Sequence, residues 1–397
     1  MTEFEKFELE LDDLLAEGVE GARRREATTF DELAGSSARE LVLFGAGRHG
    51  RHTLDGLRKS GIEPLCFIDN NVALQNQSVD GLRVLSPAEG AKLYGDRAAF
   101  IVTVWRGEGT ERMSSRLTHL RQLGCKTVVP FLPLFWKYSD ALLPHYALDL
   151  PHRAHLEADK IRAGFQLMAD DTSRREYLTQ LRWRLRGDID CLPPPVSGSI
   201  YFREEFFHLG TKECFVDCGA FDGDTLNLFL DKVGSSFERA VAFEPDPGNF
   251  AKLTDRVSLM PPEVRRRIRL VHAATGETNV RVQMAIGDGL ASSVGIGDYE
   301  VDSVSLDCEL HDTGAPATFI KMDVEGSELA TLAGAQKTIR QHAPILTLSA
   351  YHRQDDPWSI PLFIHSLNPE YSFHLRPHLL EGWDLVCYAI PNHRTHA

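Results

Sequence analysis

The chain is 397 residues long, 43% hydrophobic, and carries a formal net charge of −14 at pH 7. That length favours two domains, each with its own core. The acidic balance argues against nucleic acid and anionic membrane as partners, because both select basic surfaces, and leaves a small or neutral molecule as the expected ligand.

The acidic leader, MTEFEKFELELDDLLAEG, opens residues 1–38, read as helical. It lacks the basic start and apolar core of a signal peptide, and no apolar run reaches membrane-spanning length, so a cytoplasmic setting without a membrane partner is expected. The seven cysteines are scattered and odd in number, the pattern of reduced, buried thiols. Cys214 and Cys218 are close, but no Cys/His pair follows at zinc-ligand spacing.

Residues 39–150 begin with LVLFGAGRHG, a buried strand, a glycine turn and the start of a helix, followed by the strand PLCFIDN. AAFIVTVW and KTVVPF add strands with a helix between them, so this segment predicts a small Rossmann-like domain with a parallel, doubly wound sheet. Gly45, Gly47 and Gly50 form G-x-G-x-x-G, and Asp69 ends the second strand, the pattern that places a diphosphate on backbone amides and a ribose on the acid. His49 and His52 flank the turn at positions expected to face solvent.

Residues 151–200 read as a helical connector. Ile161, Phe165, Met168, Tyr177, Leu178, Leu181 and Leu185 fall near one stripe, and CLPPPVSGS ends it. The stripe is expected to be intramolecular core, with a homodimer contact as the other use. Residues 201–397 then bring CFVDCG, AVAFEP, RLVHAA, RVQMAI, FIKMDV, PILTLSAY and a terminal strand pair, with helices between most of them. The fold class expected is α/β, with two doubly wound sheets joined by the connector.

Ligands of such sheets bind outside the carboxyl ends of the strands, and the chemistry-bearing residues of this segment cluster there. FVDCGAFDGDT places Asp217, Gly219, Ala220, Phe221 and Gly223 in the first turn, where Asp217 suits an ammonium group. Glu244, followed by Pro245, ends the next strand and suits two ribose hydroxyls, and the small Ala273 and Ala274 leave room for an adenine ring. FIKMDVEGSE sets Lys321, Asp323, Glu325 and Glu328 around the edge of the fourth strand, and SAYHR brings Tyr351 and His352 to the same edge. The plainer alternative is that Lys321 pairs with one carboxylate while Glu325 and Glu328 cap the helix N-terminus.

With its VDxGAxxG turn, FEP strand, KxDVEGxE strand, L-x-GA helix and late Tyr-His, the segment from Tyr201 onward resembles the FkbM-type methyltransferases. The resemblance implies a class I methyltransferase domain transferring a methyl group from S-adenosyl-L-methionine to a hydroxyl of a sugar or natural product. Phe221 stands where many relatives have Asn. Asp323 or His352 is the expected general base, with Glu325 and Lys321 beside them. Alternatively, Asp323 and His352 ligate a divalent metal such as Mg2+ that lowers the hydroxyl pKa. The string from FGAGRHG to GLRVLSP resembles the nucleotide-sugar-binding domain of PglD-type acetyltransferases, implying a nucleotide-linked sugar at Gly45, Gly47, His49, Gly50 and Asp69. Two other readings compete: a non-catalytic sensor, and an NAD-dependent oxidoreductase built on GAGRHG.

Overall fold

The computed structural model describes residues 1–284, 299–311 and 315–395. In the first domain, short apolar runs buried on both faces form strands β1 (Leu41–Phe44), β2 (Cys66–Ile68), β3 (Ser78–Val79), β4 (Leu82–Leu85), β5 (Ala99–Val102) and β6 (Thr127–Pro130). The sheet order is β3-β4-β2-β1-β5-β6, parallel throughout except for the β3–β4 hairpin. β4 lies in GLRVLSP and has no counterpart among the strands expected from sequence.

The second domain contains β7 (Cys214–Cys218), β8 (Arg239–Phe243), β9 (Ile268–Val271), β10 (Ala274–Thr275), β11 (Val280–Met284), β12 (Tyr299–Val304), β13 (Phe319–Met322), β14 (Ile345–Ser349), β15 (Tyr371–Pro377) and β16 (Leu385–Pro391). Its main sheet runs β15-β16-β14-β13-β7-β8-β9, and only the contacts made by β16 are antiparallel. Read from β9, the seven strands take the order 3-2-1-4-5-7-6. The order reverses between β7 and β13, so loops leaving these strands diverge and open a crevice.

Two expected strands behave differently. RLVHAA breaks after Val271, and Ala274–Thr275 joins β12 in a separate three-stranded sheet, β10-β12-β11. RVQMAI supplies β11 of that sheet through Met284, and its last two residues lie outside the described residues.

The leader and connector are not loose attachments. The helix Glu3–Leu15 buries Phe7, Leu11, Leu14 and Leu15 in the second domain's core, while the helix Gly18–Ala34 buries Phe30 and Ala34 in the first domain's. The whole connector stripe from Ile161 to Leu185 enters the second core, while Trp183 on the same helix, Asp171–Arg186, enters the first. A buried ion pair also joins the domains, Arg116 to Glu381 at 3.0 Å, and Trp105 donates its indole N–H to the Glu381 carbonyl at 3.0 Å. Among the described residues no helix is long and apolar enough to cross a membrane.

Candidate active site

Strand register explains the floor of the crevice. Lys321 on β13 is the direct parallel partner of Asp217 on β7, which puts both side chains on the same face. Lys321 Nζ lies 3.1 Å from Asp217 Oδ1 and donates to the Gly219 carbonyl at 2.6 Å. Burial pushes the Asp217 carboxyl up to about 6 despite the ammonium beside it. Burial also works against the Lys321 charge, yet Asp217, Asp323 and Asp224 hold it above its ordinary value. The pair therefore ties the first turn to β13. Gly219, at φ +78°, passes so close to that strand's exit that a Cβ would lie 1.9 Å from the Asp323 carbonyl oxygen, which excludes any side chain.

Above this floor is a cavity of about 640 Å3. Gly219, Phe221, Glu244, Pro245, Ala273, Ala274, Lys321, Asp323 and Glu325 all line it. Asp217, Ala220 and Gly223 do not. Asp217, expected to meet a ligand's ammonium, is wholly buried beneath the floor and spoken for by Lys321. The Glu244 carboxylate accepts the Phe221 N–H through Oε2 and the Asp246 N–H through Oε1, both at 2.8 Å, so it joins the turns after β7 and β8. Burial pushes it up to about 7. Phe221 sits at φ +48°, a left-handed conformation that Asn adopts readily and Phe does not, so this position carries local strain.

The segments leaving β13 and β14 gather Asp323, Glu325, Glu328 and His352. His352 Nδ1 lies 2.7 Å from Glu328 Oε1, and Nε2 lies 3.5 Å from Asp323 Oδ1 and 3.7 Å from Glu325 Oε2. Burial alone would push the imidazole down, but Glu328, Asp323 and Glu325 hold it up to about 10. The three carboxylates thus favour the protonated form of the ring over its ordinary balance. Burial opposes the Asp323 charge too, yet Lys321 and His352 hold its carboxyl below the usual range, and Tyr201 donates its hydroxyl to Oδ2 at 3.0 Å. Glu325 differs. Burial pushes its carboxyl up to about 7, against the pull of His352, and it sits at φ +51°, a strained conformation in the turn after β13. Glu328 turns inward to His352 and the Val324 N–H, so it organises the edge and does more than cap its helix.

Two contributors lay beyond sequence reasoning. Tyr201 carried no signal besides its place at the domain's start. Arg184, fully buried in the connector, donates to the carbonyls of Ala350, Arg353 and Gln354 at 3.0, 2.9 and 2.8 Å, clamping the loop that carries His352.

A second cavity of about 1070 Å3 lies between the domains. Trp105, Tyr146, Glu325, Ser327 and Trp383 line both cavities and form their common wall. From the first domain, Arg48, His49 and His52 reach the larger cavity, whereas Gly45, Gly47, Gly50 and Asp69 line neither. Asp69 closes its own loop by accepting the Ala46 and Asn71 N–H groups at 2.7 Å each. Gly50 lies under the Gly45 carbonyl, where a Cβ would come within 1.8 Å. His49 does not face solvent as expected. Its ring packs against Phe131, Phe135 and Trp105 and meets His145 at 3.2 Å, and burial pushes it down to about 3.

The strand order, the antiparallel seventh strand and the crevice at the switch point define a class I methyltransferase fold in the second domain. The family described as the methyltransferase FkbM domain matches residues 217–376, so this region is similar to the methyltransferases of that family. The crystal structure of methyltransferase FkbM from Methylobacillus flagellatus KT is similar over 98% of this chain and 99% of that one, with TM-score 0.77 and 22% identity, so the likeness of fold includes the first domain and the connector. Weaker matches include a precorrin-6y C5,15-methyltransferase from Geobacter metallireducens GS-15 (13% identity, 46% of this chain and 81% of that one, TM-score 0.30) and Aeropyrum pernix fibrillarin (12%, 46% and 69%, TM-score 0.28). No curated protein matches the chain.

Proposed function

We propose that the protein is an S-adenosyl-L-methionine-dependent O-methyltransferase acting on a hydroxyl of a sugar or of a sugar-bearing natural product. The observation that carries this reading is the position of Glu325, a carboxylate on the wall shared by two cavities, one lined by the methyltransferase turns and the other by both domains. The smaller cavity suits the donor. Glu244 faces it with free lone pairs for two ribose hydroxyls, Ala273 and Ala274 leave space for adenine, and the bare backbone at Gly219 admits the amino-acid end. When bound, S-adenosyl-L-methionine supplies a sulfonium methyl whose C–S bond breaks as the new O–C bond forms in line.

The chain's own residues do the remainder. Glu325 accepts the hydroxyl proton as the oxygen becomes nucleophilic, and its carboxyl near 7 suits that task at neutral pH. The imidazolium of His352, anchored on Glu328, keeps Asp323 and Glu325 from repelling each other, and Tyr201 fixes Asp323. Trp105, Tyr146 and Trp383 screen the reacting groups from water. Incubating the whole chain with methyl-labelled donor and a panel of glycosides tests the reading. Acceptor-dependent release of S-adenosylhomocysteine is the expected result, whereas donor binding without turnover on any hydroxyl would overturn it in favour of a sensor.

One observation favours a second reading. Asp323, Glu328 and His352 bring one ligand atom each within 4.8 Å of one another, a set that would hold a divalent cation such as Mg2+ once the His352 ring gives up its proton, and the cation would lower the hydroxyl pKa. Turnover undiminished after exhaustive chelation removes that reading.

A further inference from the structure

The cavity between the domains has a charge pattern that its shape alone does not require. Most of its ionised groups already have partners. Asp149 is paired with Arg153 at 2.8 Å and Arg353 with Asp355 at 3.4 Å, while Glu157 accepts from Trp358 at 2.8 Å and Lys160 at 2.6 Å. Arg48 is the exception. It lines the cavity from the first domain and forms no ion pair or hydrogen bond among the described residues, yet its charge acts on Glu325, Tyr146 and His145. It opens the helix Arg48–Lys59, whose N-terminus has no side-chain cap, so the first amide N–H groups and the helix dipole add to its positive field. Across the cavity His352, 7% exposed, keeps Nε2 without a hydrogen bond, its nearest carboxylate oxygens being Asp323 Oδ1 at 3.5 Å and Glu325 Oε2 at 3.7 Å, so an occupant's acceptor can complete its hydrogen bonding. Between these lie three aromatic rings: Trp105 and Trp383 centroids are 4.7 Å apart, and Tyr146 and Trp383 4.9 Å.

We infer that this interdomain cavity is the acceptor seat and that it takes an anionic glycosyl unit: the ring lies against Trp105 and Trp383, a hydroxyl faces Glu325, and a carboxylate or phosphate faces Arg48. The inference rests on the methyltransferase reading and adds the substrate's charge and the residue that reads it. It also gives the first domain a direct part in specificity, because Arg48 and Trp105 both belong to that domain. A charge-assisted hydrogen bond of this kind is worth about ten- to a hundred-fold in affinity.

The test uses the whole chain saturated with S-adenosylhomocysteine, with intrinsic tryptophan fluorescence reporting on Trp105 and Trp383. Three probes are titrated: 4-nitrophenyl β-D-glucuronide for a carboxylate, glucose 1-phosphate for a phosphate, and 4-nitrophenyl β-D-glucoside as the neutral comparison. The expected result is binding of at least one anionic probe about ten-fold or more tighter than the neutral one, and loss of that preference in Arg48→Gln. Which anionic arm binds names the source of the charge. Equal affinities, no binding by any probe, or a preference that survives Arg48→Gln would each overturn the inference. Failure to bind S-adenosylhomocysteine at the outset would instead count against the methyltransferase reading beneath it.

Discussion

Replacing Glu325 with Gln keeps the side chain's size and removes only its capacity to take a proton. General-base catalysis contributes about 10²- to 10⁴-fold, so kcat is expected to fall within that range. The pH profile sharpens the expectation, because the carboxyl is pushed up to about 7 and works only when ionised. At pH 5 roughly 1% of it is ionised, so wild-type turnover at saturating donor falls about 100-fold from its alkaline plateau. The Gln variant loses that rising limb together with the rate. Donor affinity, measured calorimetrically with S-adenosylhomocysteine, stays near the wild-type value, because the floor built by Lys321 and Gly219 and the Glu244 contacts are untouched. A Gln variant within about three-fold of wild type, with its pH limb intact, would refute the assignment of Glu325 as base.

Other expectations follow from the same geometry. Arg184→Met leaves three buried carbonyls without their donor, so it destabilises the chain by about 3 kcal/mol in urea unfolding and lowers kcat by loosening His352, though Arg184 touches neither cavity. Glu381→Gln breaks the buried pair with Arg116 that joins the domains. The expected cost is about 3–5 kcal/mol, with the first domain's unfolding separating from the second's, and a single unshifted transition would count against the interdomain bolt. Stability of the unliganded chain should fall between pH 6 and pH 9. Burial holds Glu176, Glu244 and Glu325 up to about 7 and Asp356 up to about 8 in the fold, so their contributions are present at low pH and fade as pH rises through those values. His352, held up to about 10, acts in the same direction above its ordinary 6.5. A melting temperature that rises over this window would contradict these shifts.

What the sequence disclosed was local, and what it concealed was distant. FVDCGAFDGDT and KMDVEGSE could be placed at strand ends because strand, turn and helix follow one another within each string, and the parallel order then brings Asp217 and Lys321 side by side. The strained backbone at Phe221 and Glu325 leaves no mark in composition, however, and the upward shift of His352 against its burial depends on Glu328, 24 residues away in the chain. Arg184 lies 166 residues from the Ala350 carbonyl it holds, and Trp105 lies 276 from Glu381, separations that no pattern of spacing reveals. The fingerprint at FGAGRHG shows the other side of this. Its glycines satisfy close packing at Gly50 and its acid closes the turn, while the residues that reach the interdomain cavity are Arg48 and His49, which the fingerprint treats as spacers.

The central claim is that the crevice between β7 and β13 is a methyl-donor site. Its most direct test is calorimetric titration of the whole chain with S-adenosyl-L-methionine, beside Gly219→Val, whose side chain would collide with the Asp323 carbonyl. Saturable one-to-one binding is expected of the wild type, and none of a variant that remains folded by circular dichroism. Absence of binding by the folded wild type, or equal binding by Gly219→Val, would contradict it.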